Sequence, residues 1–181
     1  LEHRLCLNGH NRRLEAPDGR MIADAGEMLD HRFLHGPVRS GNCAPCHASH
    51  GSDNPNLLTT AFPDLFYAPF EVDAYALCFE CHAEQLVTEP QTTALTRFRD
   101  GERNMHYVHV HRDKKGRTCK ACHNIHGSDL PNHMARAVPF EGSGWAMPIR
   151  FEKMEGGGRC TPGCHEAMSY QHKPTAKEGA P

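Results

Sequence analysis

The sequence predicts a mostly coil chain with short helices, little or no sheet, and one structural unit used twice. Three observations predict it. Hydrophobic residues make up only 38% of the 181, with a single Trp, which is thin material for a protein-only core. Thirteen Pro and sixteen Gly break the chain into turns and short elements. Nine Cys and fifteen His supply the chemistry of a bound group around which such a chain can organise.

Charge and hydropathy narrow the class. The formal net charge is −2 with no long basic run, so there is no electrostatic footprint for nucleic acid. No stretch approaches the roughly 18 apolar residues of a membrane span. The chain opens on Leu1 without a leader-like segment, which reads as a removed leader or a piece of something longer.

Eight of the nine cysteines fall into four motifs: Cys43-Ala-Pro-Cys46-His47, Cys78-Phe-Glu-Cys81-His82, Cys119-Lys-Ala-Cys122-His123 and Cys160-Thr-Pro-Gly-Cys164-His165. C-x-x-C-H is the spacing of c-type haem attachment. Two thiols add to the two vinyl groups of one haem, and the adjacent His then lies under the iron and binds it axially. The fourth motif carries one extra residue, which Pro162-Gly163 absorbs in a tighter turn. Zinc also binds paired C-x-x-C motifs. It has no use for a His directly after each of four pairs, so haem is the better reading.

Two motifs are longer. "CAPCHASHGSDNPN" (43–56) and "CKACHNIHGSDLPN" (119–132) align without gaps at an offset of 76 residues, an internal repeat. Each repeat unit holds a doubled motif and then a plain one. His47 and His50, and likewise His123 and His126, are three apart and share one face of a helical turn. Two imidazoles on one side cannot both serve one iron. The second of each pair, His50 or His126, therefore reaches the iron of a neighbouring haem, and those haems nearly touch. Gly51 and Gly127 follow directly and remove side chains where a macrocycle comes close.

Taken in order, residues 1–30 are an N-terminal segment with "CLNGH" (6–10) and the polar turn "APDGR" (16–20). Residues 31–103 are the first two-haem unit and residues 104–168 the second. In the first, "MLDHRFLHGP" (28–37) reads as a short helix stopped by Gly36-Pro37. It offers His31 and His35 on one face, one as a distal ligand and one as a surface residue. In the second, "NMHYVHVHRDKKG" (104–116) is the counterpart. The repeat offset aligns His111 with His35, whereas His106 and His109 have the more apolar neighbours. Val108 and Val110 favour an extended chain there, and spacing leaves the three histidines open. "PFEGSGWAMPIRFEKMEGGG" (139–158) is a connecting loop, and Trp145 packs against a haem or within the loop. Residues 169–181 are a disordered tail. The units together form one compact, haem-rich domain.

The stretches 34–52, "YALCFECH" (75–82), "NMHYVHV" (104–110), 116–128 and "GGGRCTPGCH" (156–165) resemble the multihaem c-type cytochromes with doubled C-x-x-C-H motifs. The family includes extracellular cytochromes that polymerise into conductive filaments, soluble periplasmic carriers, and parts of larger complexes. The resemblance implies bis-His haems in a closely spaced chain, with porphyrins forming most of the core. It implies distal-ligand roles for His35, His50 and His126, and favours His106 and His109 over His111. It also implies attachment outside the cytoplasm, and redox proteins or extracellular acceptors as partners. Relatives carry an intact motif near residues 6–10, where this chain has Gly9 in place of the second cysteine.

"CLNGH" nevertheless falls on the rhythm of the motifs. Cys6 lies 37 residues before Cys43, and the later spacings are 35, 41 and 41. We read Cys6 and His10 as a degenerate fifth haem site, beside four attached by complete motifs. Five distal candidates, His35, His50, His106, His109 and His126, match five haems. A free thiol at Cys6 or a distal role for His10 are the alternatives. With both axial positions filled, the expected function is electron transfer along the haem chain and not catalysis, with a filament subunit as one form. The alternative is a periplasmic multihaem redox enzyme or an electron-transfer subunit of a larger complex.

Overall fold

The computed structural model describes residues 2–15, 19, 21–22, 24–49, 51–140 and 142–172. Among them, thirteen strands of two to four residues pair into six antiparallel sheets, five of two strands and one of three. This corrects the expectation of little or no sheet, although turns and coil still dominate. The largest discrepancy is the segment read as a connecting loop. Ala137–Pro139 pairs with Ala146–Pro148. Phe151–Met154 then pairs with Gly157–Cys160 across the turn Glu155-Gly156, where Gly156 takes φ +70°. Glycines that read as loop are strand residues at a close approach. A side chain at Gly157 would strike the Tyr170 carbonyl, and one at Gly158 would meet the Tyr170 ring at 2.5–2.9 Å. Their bareness lets Met168–Gln171 join as a third strand. That strand occupies the start of the segment expected to be disordered; residues 173–181 lie outside the described residues.

The chain divides into two compact units, and the division falls inside the third motif. One unit comprises Leu1–Thr60 and His123–Ala135. Here "MLDHRFLHGP" is not one helix. A helix over Ala25–Leu29, capped by the Asp24 carboxylate on the Gly26 N–H at 2.7 Å, takes in only its first two residues, Met28 and Leu29. Phe33–Leu34 is a strand, and Pro37 lies in the first turn of a helix over Gly36–Arg39. Proline is welcome there, because a first-turn N–H has no intrahelical partner.

The C-terminal parts of the two doubled motifs lie in this unit and form the same loop. Pro55–Leu57 and Pro131–His133 are 3₁₀ turns with Asn56 and Asn132 both at φ 58°. His47 bridges Leu58 and His123 bridges Met134. The Ser52 and Ser128 hydroxyls donate to the carbonyls of Leu58 and Met134. The sequence repeat is therefore a structural repeat down to its side-chain hydrogen bonds. Gly127–Ser128 pairs with Phe33–Leu34, and a side chain on Gly127 would meet the Phe33 carbonyl oxygen at 2.9 Å. Gly127 thus makes room for a neighbouring backbone.

The other unit comprises Ala61–Cys122 and Arg136–Pro181. Its core gathers Tyr75, Val87 and Val110, with Phe62, Phe70, Phe79 and Leu86 around them. "MHYVHV" forms an α-helix over Met105–Val110 and not the extended chain its valines favour. The reason is Asn104, which is fully buried. Its Oδ1 accepts from the N–H of His106 at 3.0 Å and of Tyr107 at 3.5 Å, and its Nδ2 donates to the carbonyls of Leu86 and Glu89 at 2.9 and 2.8 Å. A side-chain cap of this kind outweighs the small intrinsic penalty of two β-branched residues. After the helix, Gly116 passes between the carbonyls of Val110 and Ala68, where a Cβ would sit 2.5 and 2.6 Å away.

Candidate haem sites

Three of the four complete motifs are wound into single helical turns. His47 N–H donates to the Cys43 carbonyl at 3.0 Å and His82 N–H to the Cys78 carbonyl at 2.9 Å. Cys119–Ala121 is a 3₁₀ turn, with Cys122 N–H on the Cys119 carbonyl at 3.2 Å. Such a turn puts both thiols on one edge and starts the His on the next. The fourth motif differs. Cys160 ends a strand, Thr161 N–H donates to the Arg150 carbonyl at 3.3 Å, and Gly163 N–H to the Pro148 carbonyl at 3.0 Å. The extra residue is accommodated in backbone leaving a strand. A Cβ on Gly163 would lie 3.0 Å from the Trp145 ring and 3.1 Å from Met147. Trp145 thus packs beside this motif, and the Cys164 thiol contacts the Met147 sulfur at 3.5 Å.

Imidazole tautomers carry the chemistry further. His47 Nδ1 donates to the Asn56 carbonyl at 3.1 Å and His123 Nδ1 to the Asn132 carbonyl at 2.9 Å. His165 Nδ1 donates to the Glu166 carbonyl at 2.6 Å. A carbonyl only accepts, so each Nδ1 carries a proton, and in the neutral imidazole Nε2 is then the nitrogen with the lone pair. That is the arrangement of a metal-binding His with its second nitrogen anchored. Asn56 and Asn132 reach their left-handed conformation at low cost because asparagine tolerates it better than other side-chain-bearing residues.

The distal candidates are distributed as follows. His126 faces His47: their ring centroids are 6.1 Å apart and the rings are within 17° of parallel. Two imidazoles on opposite faces of one metal ion, each bonded at about 2.0–2.1 Å, hold their centroids roughly 6 Å apart. The centroid separation of the pair matches that span. Burial, then the charges of His47 and His35, hold the His126 imidazole below its usual pKa, which keeps it neutral and able to coordinate. His35 N–H donates to the His126 carbonyl at 3.0 Å, and the His35 ring stands edge-on to His133 at 5.7 Å. His133 replaces Leu57 of the first repeat, and its place beside His35 follows from strand pairing that no sequence signal announced. His31 is tied to the Asp129 carboxylate at 3.3 Å. His50 lies outside the described residues.

In the other unit, His106 and His109 are three apart on the Met105–Val110 helix, and both contact Phe98, at 5.1 and 5.5 Å. His109 Nδ1 donates to the Met105 carbonyl at 2.7 Å, which again leaves Nε2 free. Burial pushes its pKa down; the charges of Arg117, His165 and Arg112 add to this against that hydrogen bond. His106 Nδ1 meets the Thr96 hydroxyl at 3.2 Å. His111 caps the helix with its ring between Phe70 and Tyr107, each at 4.6 Å.

Cys6 lies on a helix over Glu2–Gly9, and His10 N–H donates to the Cys6 carbonyl at 2.9 Å, the same local bond as in the first two complete motifs. Cys6 is half-buried and His10 exposed.

Residues 35–86 match the family model of the doubled CXXCH motif. The match covers His35, the first doubled motif and the plain motif after it. No curated protein matches the chain, and no solved structure does. The doubled motif indicates covalently bound haem c, and the match supports a multihaem c-type cytochrome with a role in electron transfer. Among the described residues, no helix is long and apolar enough to cross a membrane.

Proposed function

We propose that the protein carries electrons along a chain of covalently attached haems whose irons are closed on both faces by histidine. The observation that carries this reading is the His47–His126 pair, with its 6.1 Å separation and near-parallel rings. When bound, haem supplies the one-electron chemistry, and the protein supplies holding, orientation and tuning. Cys43, Cys46, Cys78, Cys81, Cys119, Cys122, Cys160 and Cys164 hold four haems. His47, His82, His123 and His165 take the proximal positions. His126 closes the first iron, while His35, His50, His106 and His109 serve the others. Cys6 and His10 hold a fifth, a reading supported by the shared turn geometry at His10.

Two axial imidazoles leave no position on the iron for a substrate, which favours a carrier over an enzyme. Attachment of haem c outside the cytoplasm sets the compartment, and the partners are redox proteins or extracellular acceptors. Assembly of copies into a filament belongs to the same reading and is tested by imaging native material. Intact mass with haem stoichiometry and the ferric spectrum test the core of it. The wild type should be low-spin throughout. His126→Ala should convert one haem, that of His47, to high-spin with the others unchanged. A substantial high-spin fraction in the wild type, or a His126→Ala spectrum identical to it, refutes the assignment.

A further inference from the structure

The helix over Met105–Val110 has two working faces. His106 and His109 both lie against Phe98. Tyr107 and Val108 fall between them in the chain and so point elsewhere, since helical neighbours are turned about 100° apart. These two line a cleft of about 570 Å³. Small-molecule sites run to roughly 300–1,000 Å³. Arg103 just before the helix, and His111 and Arg112 just after it, line the same cleft, with Pro90 and Gln91.

The lining is held in place by backbone. Asn104 N–H donates to the Pro90 carbonyl at 3.0 Å, Gln91 bridges Arg103, and Thr92 N–H donates to the Glu102 carbonyl at 2.7 Å. Arg112 N–H donates to the Val110 carbonyl at 2.8 Å, and the Arg112 carbonyl accepts from Phe70 N–H at 3.0 Å. Arg112 Nε donates to the Val108 carbonyl at 2.8 Å. That bond orients the guanidinium and leaves its Nη groups for a ligand.

Two features of the cleft select what it takes. The first is charge. Arg103 and Arg112 line it and no carboxylate does. The ion pairs among the described residues join other groups, so no carboxylate there neutralises either guanidinium. A smaller cavity of about 360 Å³ shares Arg112 and adds Lys114, Lys115 and Arg117 against the single Asp113. Cations thus gather here in a chain whose formal net charge is −2. The second feature is flat aromatic surface. The Tyr107 and His111 rings stack at 4.6 Å within 22° of parallel, and Phe70 backs His111 at 4.6 Å. His111 Nδ1 is buried with no hydrogen-bond partner among the described residues. Such an atom calls for an explanation, and a polar ligand beside the ring supplies one.

We propose that this cleft is a binding site for a planar aromatic ligand with two carboxylate or sulfonate groups. One anionic group sits on the Arg103 and Arg112 guanidiniums, whose planar forks match it. The ring lies beside Tyr107, and the second anionic group extends toward Lys114 and Lys115. The site stands apart from the haem reading, because the helix face that bears His106 and His109 is not the face that lines it.

The test is calorimetric titration of the haem-loaded protein with terephthalate, at low and at physiological ionic strength. One saturable site per chain is expected, weaker at the higher salt. Arg103→Gln and Arg112→Gln should each weaken it about tenfold or more, the loss expected for charge-assisted hydrogen bonds. Lys153→Gln removes a charge from the strand Phe151–Met154 and should bind as the wild type does. The saturated cyclohexane dicarboxylate of the same shape and the neutral terephthalamide should each bind about tenfold more weakly or worse. Matching thermal midpoints establish that the arginine variants are folded, and Arg103→Gln, on an exposed hairpin strand, carries the test should Arg112→Gln unfold. An absence of saturable binding, or wild-type affinity in the folded arginine variants, overturns the site. Equal affinity for the cyclohexane acid overturns its aromatic selection, and equal affinity for the diamide its anionic selection. Each of these failures leaves the electron-transfer proposal standing.

Discussion

Gly127→Ala probes the link between backbone packing and iron ligation. The added Cβ would lie 2.9 Å from the Phe33 carbonyl oxygen, 3.0 Å from Leu34 Cδ2 and 3.2 Å from His31 Cβ. The leucine methyl can turn aside, but the carbonyl belongs to the strand paired with Gly127–Ser128 and cannot move without opening that pair. Overpacking of this kind costs typically about 1–3 kcal/mol. Restricting the unfolded chain returns about 0.4–1 kcal/mol. The net expectation is about 1–2 kcal/mol of destabilisation. Gly36→Ala is the control, because nothing lies within 4 Å of its Cβ position; it should be neutral or slightly stabilising. The consequence for function is local. His126 precedes Gly127, and its carbonyl accepts from His35 N–H across the strained pair. Displacing that peptide swings the His126 ring off its 6.1 Å approach to His47. The assay is a denaturant midpoint read together with the ferric spectrum. Gly127→Ala should lower the midpoint and turn high-spin a fraction corresponding to one haem. A variant with unchanged midpoint and a wholly low-spin spectrum refutes the claim that this strand pair holds the ligand.

Asn104→Ala should cost about 3 kcal/mol or more, from a lost helix cap of about 1 kcal/mol and two carbonyls orphaned at roughly 1–3 kcal/mol each; denaturation monitored by far-ultraviolet circular dichroism measures it, and the Met105–Val110 helix should fray first in hydrogen exchange. Asn132→Val places a β-branched residue at φ 58° and should cost about 1–2 kcal/mol, whereas Asn132→Gly should be near neutral; the difference appears in the thermal midpoint. Tyr75 has its pKa pushed up to about 12 by burial, then by the neighbouring Cys119 and Cys78. The unfolded chain releases this proton near pH 10 and the folded protein near 12, so stability is intact below pH 10 and falls as pH rises between them, by on the order of 2–3 kcal/mol. Tyr75→Phe should flatten that part of the alkaline stability curve.

The turns that present the motifs were legible in the sequence because they are local. Four Cys–Cys–His sets sit within five or six residues each, and one helical turn suffices to present three of them. The repeat was legible too: its shared residues fold into the same loop twice, with the Ser52 and Ser128 hydroxyls each bonded to a carbonyl six residues on and Asn56 and Asn132 in the same left-handed conformation. The sheets were not legible. Strands of two to four residues carry no periodicity worth reading, and the Gly156–Gly158 run looks like a loop until Tyr170 is seen lying across it. The helix over Met105–Val110 was misread because its cap, Asn104, draws half its hydrogen bonds from Leu86 and Glu89, far upstream. Sequence alone therefore determined the four Cys–Cys–His sets and that the doubled one is repeated. Only tertiary structure decided that His126 faces His47 and that His133 stands against His35. The motif turns depend on chain neighbours, whereas the pairing of histidines depends on which distant strands hydrogen-bond, and that is settled by packing.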